Sequence, residues 1–218
     1  MRHMSVYTIY ADRNEDEKSG NYGFENQTLD GDFKTAFPIG IEFNPVAKAA
    51  LLDDGTLLQQ SAAYQGVAVD MSRLPKKVRW GGGKRKLVDL LKTADHLLVS
   101  GKLRDVIEAL EPGVHQFQSV EVIWNNDTHA ASYFWFNICN RLDGMDKENT
   151  THSYNERIGK WSFVEGRRYV VNLHQTAGKH IWIDSRVPNS SVFVSEDFKK
   201  AMAAAGVAGV GFSLFEVV

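Results

Sequence analysis

The pattern of apolar positions along the chain is rich in short strands. Runs of aromatic and β-branched residues, bounded by glycine and polar turn residues, are typical of strands. The predicted strands include Ser5–Tyr10, Tyr64–Val69, Val120–Trp124, Ser132–Cys139, Trp161–Val164, Tyr169–Leu173 and Ile181–Asp184. Three other segments have apolar residues at helical spacing. The first is Lys84–Thr93, in which Leu87, Leu90 and Leu91 form the apolar face of a predicted amphipathic helix.

The other two predicted helices belong to a pair of similar segments, residues 99–122 and 194–217. The segments align without a gap, and six of the 24 aligned positions are identical. In each copy a short apolar strand precedes a serine, Ser100 or Ser195, that is placed to cap a helix. A strand centred on Phe117 or Phe212 follows, and we expect both phenylalanines to be buried at equivalent places. Duplication of one unit and separate use of a common strand–helix–strand pattern both account for the similarity.

The order of the predicted elements indicates the fold class. Strands outnumber helices, and the two do not alternate regularly. This arrangement predicts an α+β fold that combines a strand-rich, mixed or antiparallel sheet with about three helices. The 218 residues can bury a substantial core and include no linker rich in proline or serine. We therefore expect residues 1–218 to form a single globular domain, in which residues 1–3 are either an expression remnant or precede the true start at Met4.

Composition narrows the class of protein. Hydrophobic residues make up 43% of the chain and charged residues 24%, which are ordinary values for a globular protein. The net charge of −2 gives no electrostatic reason to expect a nucleic acid or a membrane as the principal partner. No segment has the run of about 20 apolar residues that a membrane helix needs, and the N-terminus does not resemble a secretory signal. We therefore expect a cytoplasmic protein.

One basic segment is a candidate binding site. Residues 76–86 carry six positive charges, with a tryptophan among them. Cations can contact phosphates while an aromatic ring stacks on a base, and Trp and Arg are also frequent at protein interfaces. The candidate contact residues are Trp80, Lys84, Arg85 and Lys86. A solvated surface is the competing interpretation. The glycines of this segment do not complete a phosphate-binding loop, because Val78 and Arg85 occupy positions where that motif needs Gly and Ser or Thr.

The polar segment Arg141–Asn155 is a second candidate, and we expect it to form a protruding loop. Its acidic residues are Asp143, Asp146 and Glu148. Their spacing does not match that of a calcium-binding loop. They indicate either a solvated loop or a charged surface for protein recognition.

Residue spacing indicates no catalytic or metal-binding chemistry. The seven histidines include no pair at the i, i+4 spacing of a helical zinc site. No G-x-S-x-G nucleophile motif occurs. The single cysteine, Cys139, lies in an apolar run, so we expect a buried thiol without function. We therefore expect no catalytic residue, no metal site and no cofactor.

The segments around the internal repeat resemble a known protein family. The matching stretches are LLVSGKLRDVIEALEPGVHQFQSVEV, the strand YFWFNICNRLD and the closing VFVSEDFKKAMAAAGVAGVGFSLFEV. They are similar to bacterial proteins of immunity family eleven, which are encoded beside polymorphic toxins, and the resemblance covers Leu97 to the C-terminus. It implies an antitoxin that binds one cognate toxin domain and blocks it by occlusion. The alternatives are a small-molecule or nucleic-acid binding module that uses residues 76–86, and an enzyme that reverses or degrades the product of the toxin.

Overall fold

The computed structural model describes residues 5–12, 27–60, 65–81, 87–93, 96–188 and 191–218. These residues form sixteen strands and two α-helices. The strands are β1 (Val6–Ala11), β2 (Gln27–Thr28), β3 (Ala49–Leu51), β4 (Leu57–Gln59), β5 (Lys77–Arg79), β6 (Leu90–Thr93), β7 (His96–Ser100), β8 (Gln116–Ile123), β9 (His129–Asn137), β10 (Arg141–Leu142), β11 (Ser153–Asn155), β12 (Lys160–Ser162), β13 (Val170–Val171), β14 (Ile181–Asp184), β15 (Val192–Ser195) and β16 (Val210–Val217). The helices are α1 (Gly101–Leu110) and α2 (Glu196–Ala204).

Most of the strands belong to two six-stranded mixed sheets. The strand order is β2-β5-β8-β9-β7-β6 in one sheet and β13-β16-β1-β15-β14-β10 in the other. Two hairpins, β3–β4 and β11–β12, lie outside these sheets. The α+β class with strand-rich mixed sheets is confirmed, and the described residues contain two α-helices where about three were expected.

The two sheets repeat one arrangement of five strands. In the first sheet, β7 and β8 flank β9 and are antiparallel to it, and α1 connects them. In the second sheet, β15 and β16 flank β1 in the same way, and α2 connects them. On one side β6 and β14 add antiparallel strands, and on the other β5 and β13 add parallel strands. We call the arrangement around β9 unit one and that around β1 unit two.

The strand register is also the same in the two units. Tyr133 of β9 lies opposite Ser100, and Val6 of β1 lies opposite Ser195. On the other side, the same two residues pair with positions that the sequence alignment also makes equivalent, Val120 and Phe215. The segments 99–122 and 194–217 are therefore structurally equivalent, which confirms the internal pseudo-repeat.

The serines begin the two helices as expected. Oγ of Ser100 and Oγ of Ser195 each accept a hydrogen bond of 3.2 Å from the backbone N–H three residues later. The two helices contact each other, and their apolar faces share one core with residues from both sheets. The buried helix residues are Leu103, Val106, Ile107, Phe198 and Met202. Burial of such side chains contributes about 1.5–3 kcal/mol each, so this shared core holds the two units together.

Phe117 and Phe212 occupy equivalent places at the edge of the shared core. Both rings are half-buried rather than buried, which corrects the expectation from the sequence. Two residues farther along the same face of each strand, Ser119 and Leu214 are exposed. The shared core ends at this point, so one side of each ring remains open to solvent.

Two predicted elements are wrong. The second half of the predicted helix Lys84–Thr93 is the strand β6, and residues 82–86 lie outside the described residues. Leu90 and Leu91 belong to different cores on opposite faces of β6. Both leucines had been predicted to lie on one face of a helix. In the predicted strand Tyr64–Val69, Tyr64 lies outside the described residues and Val69 forms only an isolated bridge. Gly66 bends this segment with a φ of +76°.

Candidate functional site

Exposed apolar side chains are concentrated on the two hairpins outside the sheets. Among the described residues, eleven large apolar side chains are exposed, and six of them lie within residues 44–59 and 153–164. They are Val46, Leu51, Leu57, Ile158, Phe163 and Val164. Scattered exposed apolar residues are normal, whereas a concentration of them is typical of a surface that binds another molecule. We call residues 44–59 and 153–164 the hairpin surface.

Local sequence explains the β3–β4 hairpin. Asp54 accepts hydrogen bonds from the backbone N–H and the hydroxyl of Thr56, and Gly55 adopts a φ of +76° that favours glycine. Side chains alternate between the two faces of the hairpin. Leu58 is therefore fully buried, whereas the cross-strand pair Leu51 and Leu57 is 72% and 39% exposed. The buried inner face thus anchors the hairpin, and the outer face presents a leucine pair to solvent.

Arg186 connects the two hairpins. Its Nη2 donates to the carbonyl of Asp54 at 3.0 Å, and its Nη1 donates to the carbonyl of Gly159 at 3.1 Å. Nη1 also donates to the hydroxyl of Tyr154 at 2.9 Å, and Nε donates to Oδ2 of Asp143 at 2.5 Å. The guanidinium group is planar and rigid, so these bonds fix the hairpin tips relative to each other.

Arg141 binds the β3–β4 hairpin from unit two. Its Nη1 donates to the carbonyl of Gln65 at 2.7 Å, and its Nη2 donates to Oγ1 of Thr56 at 2.9 Å. The backbone of Gly66 lies directly against residues 140 and 141, where an added Cβ would come within 2.7 Å of the Asn140 carbonyl oxygen. Arg141 in β10 and Arg186 after β14 therefore both support the hairpin surface.

A buried carboxylate lies near these arginines. Asp184 is 4% exposed, and its oxygens accept hydrogen bonds from the backbone N–H groups of Gly144, Arg186 and Val187 at 2.8–3.0 Å. Loss of hydration on burial outweighs these bonds and raises the pKa of Asp184 to about 6, and the charge of Asp143 adds to the rise. Ionisation of Asp184 at this buried position therefore costs more free energy than ionisation in water.

The same region contains most of the buried polar atoms that lack a partner. Six such side-chain atoms among the described residues belong to residues 141–185. They are Nε of Arg141, Oδ1 of Asp143, Nε1 of Trp161, the hydroxyl of Tyr169, Nε1 of Trp182 and Oγ of Ser185. A buried polar atom without a partner costs about 1–3 kcal/mol.

The three acidic candidate residues, Asp143, Asp146 and Glu148, do not form a single site. The segment Arg141–Asn155 is not a protruding loop, because it contains the strands β10 and β11, and Met145 is fully buried. Asp143 forms the ion pair with Arg186. Asp146 accepts hydrogen bonds from three groups of the local turn and from the Asn172 side chain. Glu148 alone of the three predicted residues is exposed.

The described part of the basic segment 76–86 does not form the binding site that the sequence suggested. Trp80 is 8% exposed and belongs to the core of unit one, so its ring is not accessible for stacking on a base. Lys77 pairs with Glu121 at 3.0 Å, and Arg79 pairs with Asp127 at 2.6 Å. The remaining candidates, Lys84, Arg85 and Lys86, lie outside the described residues.

Within the described ranges, no cluster of three or more His, Cys, Asp or Glu side chains is arranged to hold a metal ion. Cys139 is half-buried, and burial raises the pKa of its thiol to about 11. None of the described helices has the length and apolar character needed to cross a membrane.

Comparison with protein-family models identifies the family. Residues 25–216 match the model of the immunity protein family Imm11. This chain belongs to that family. The match covers unit one, both hairpins and unit two apart from β1, which precedes residue 25, and the last residue of β16. It confirms the resemblance seen in the sequence of the internal repeat. Among curated proteins, none matches the chain.

Membership of an immunity family implies a protein toxin as the general kind of partner.

The hairpin surface was not predicted from the sequence, although the sequence contains one signal for it. In LLDDGTLL, leucine pairs stand on both sides of a turn, which predicts a hairpin with one leucine pair inside and one outside. Arg141 and Arg186 carried no such signal, because their partners are far away along the chain and only folding brings them near.

Proposed function

We propose that this immunity protein is a cytoplasmic antitoxin that binds one cognate toxin domain and covers the toxin's active site. The observation that carries the proposal is the family match across residues 25–216. The hairpin surface supports a binding role, because it combines exposed apolar side chains with a rigid support from Arg186.

The hairpin surface is the proposed contact with the toxin. Interfaces obtain most of their binding energy from a few residues that become fully buried in well-packed surroundings. Leu51, Leu57, Ile158 and Phe163 supply such anchors. Arg186 holds the hairpins that present them, so little conformational entropy is lost when the toxin binds.

Inhibition by occlusion requires one antitoxin molecule for each toxin molecule. Each antitoxin molecule protects against one toxin molecule, and protection lasts only as long as the complex does, so a slow dissociation rate is required. An enzyme that repaired the damage caused by the toxin would instead act at a small fraction of one equivalent.

The experiment uses the toxin encoded beside the gene. Purified toxin is titrated with the protein, and we expect activity to fall linearly to zero at about one equivalent. The double variant Leu51→Glu/Leu57→Glu should bind the toxin at least about 100-fold more weakly, because it places two charges in an apolar contact. Leu214→Glu is the matched control, since Leu214 is 68% exposed on β16 outside the hairpin surface.

Two results would contradict the proposal. Inactivation of the toxin by a trace of protein, with turnover, would replace occlusion by an enzymatic mechanism. Equal toxin binding by the double variant and by the Leu214→Glu control would show that the interface lies outside the hairpin surface.

A further inference from the structure

A pocket of about 360 Å³ opens in unit two beside the N-terminus of α2. Val6 and Trp182, both almost completely buried, line its inner side. One wall is the segment 173–180, which includes Lys179, and the other is the first turn of α2. This volume and the mixture of apolar and polar walls are typical of sites for small ligands or single side chains.

Comparison of the two units shows why the pocket is open. The equivalent of Val6 in unit one is Tyr133, which is 3% exposed and lies in the core of that unit. The hydroxyl of Tyr133 donates a hydrogen bond of 2.6 Å to the carbonyl of Val88. Valine has no ring to place there, so the volume that a tyrosine ring fills in unit one is open in unit two.

The hydrogen-bond acceptor for such a ring is also present. Val88 precedes Leu90 by two residues, and Lys179 precedes Ile181 by two residues. Leu90 and Ile181 pair with the equivalent residues Val99 and Val194, so the carbonyl of Lys179 corresponds to that of Val88. Among the described residues, none donates a hydrogen bond to the Lys179 carbonyl, and Lys179 lines the pocket.

We infer that this pocket binds a phenol group. The aromatic ring would lie over Val6 and contact Trp182, and the phenol hydroxyl would donate to the Lys179 carbonyl, as Tyr133 does to Val88 in unit one. Contacts between aromatic rings add about 0.5–1.5 kcal/mol beyond the burial of area. Two sources present this chemistry: the tyrosine side chain of a bound protein, and a free phenolic compound.

The first test uses p-cresol, which is the side chain of tyrosine, and follows backbone amide signals of the full chain by NMR. We expect saturable shifts at pocket residues such as Ala177, Gly178 and Asp197, with a dissociation constant on the order of 1 mM. Toluene lacks the hydroxyl and should bind about tenfold more weakly, because it leaves the carbonyl unpaired.

Val6→Tyr is the decisive variant, since it fills the pocket in the way that Tyr133 fills unit one. It should remain folded and lose p-cresol binding by at least about tenfold. Leu214→Tyr adds the same side chain at an exposed position and should bind p-cresol like the parent. If Val6→Tyr does not fold, Ala177→Trp tests the same point, because Ala177 is an exposed residue on the wall of the pocket.

Toxin binding by Val6→Tyr distinguishes the two sources. A loss of toxin affinity of at least about tenfold assigns the pocket to a tyrosine of the toxin, and unchanged affinity assigns it to a free phenol. Only this arm rests on the proposed function. Absence of p-cresol shifts at the pocket up to about 20 mM would overturn the inference, as would equal binding of p-cresol by the parent and a folded Val6→Tyr.

Discussion

Asp89 and His180 occupy equivalent positions in the two units, and each bonds the serine that caps the helix of its unit. Oδ1 of Asp89 accepts from the hydroxyl of Ser100 at 2.6 Å, and Nδ1 of His180 lies 2.9 Å from the hydroxyl of Ser195. The backbone carbonyls of Asp89 and His180 also accept from the N–H of the same serines. The backbone arrangement is therefore the same in both units, although a carboxylate replaces an imidazole.

These two positions also join the units to each other. Oδ2 of Asp89 accepts from the N–H of Ala208, in the loop that follows α2. In return, the Glu111 carboxylate, which follows α1, accepts from the N–H groups of His180 and Ile181. Each helix thus ends beside the other unit, and charged hydrogen bonds of this kind contribute about 1.5–3 kcal/mol.

Asp89→Ala should lower the free energy of unfolding by about 2 kcal/mol, because it leaves the Ala208 N–H and the Ser100 hydroxyl without this carboxylate. Urea denaturation measures the change. Asp105→Ala is the control, since Asp105 lies on α1 with a 67% exposed side chain and should change stability by less than about 0.5 kcal/mol. Equal effects of the two variants would show that Asp89 does not connect the units.

Asp184 predicts a specific dependence of stability on pH. Its pKa is about 6 in the folded protein and 3.8 in a free side chain, so between these values the folded state holds a proton that the unfolded state has lost. The contribution of Asp184 to stability is therefore fully present below pH 3.8 and falls as the pH rises to about 6. The free energy difference between parent and Asp184→Asn should fall by on the order of 2–3 kcal/mol between pH 4 and pH 7. A constant difference across this range would show that Asp184 titrates normally.

Phe117→Ala and Phe212→Ala should destabilise the protein by similar amounts, about 2 kcal/mol each, because both rings are half-buried at equivalent places. This value is lower than the 3–5 kcal/mol typical of a fully buried aromatic ring. Phe163→Ala removes a ring that is 72% exposed, and it should change stability by less than about 0.5 kcal/mol. A large difference between the first two variants would contradict the equivalence of the units at this position.

Cys139 should react slowly in the native protein. Burial raises the pKa of its thiol to about 11, and its Sγ lies 3.4 Å from the side-chain nitrogen of Asn137. Because the thiolate is the reactive form, modification by a disulfide reagent at pH 8 should be about 100-fold slower in the native than in the urea-unfolded protein. Similar rates in the two states would show that the thiol is exposed and activated.

Asp143 and Glu148 should respond differently to charge reversal. Asp143→Lys places a cation beside Arg186, so it should lower the free energy of unfolding by about 2 kcal/mol and displace the hairpin surface. Glu148→Lys should leave stability within about 0.5 kcal/mol, because Glu148 is exposed. If Glu148 lies at the rim of the toxin interface, its reversal should slow association and leave dissociation unchanged. Denaturation and binding kinetics at two salt concentrations separate these effects.

Much of unit two was predictable, because its signals are local. The limits of β14 were predicted correctly, and β1 to within one residue, from runs of β-branched and aromatic side chains. The serine caps of both helices were also predicted correctly. The strand β6 was mistaken for helix because its leucines face two different cores, and nothing within a few residues of Leu90 shows that a second core exists.

The sequence by itself determined the strand–helix–strand order of residues 99–122 and 194–217, and which immunity family the chain belongs to. Both depend on residues that are close along the chain, such as a serine three residues before the N–H that it caps. Tertiary structure alone decided the position of the hairpin surface and the open pocket beside Val6. Both depend on contacts between distant segments: Arg186 meets the carbonyl of Asp54 across 132 residues, and the pocket exists because β1, from the start of the chain, supplies valine where β9 supplies tyrosine.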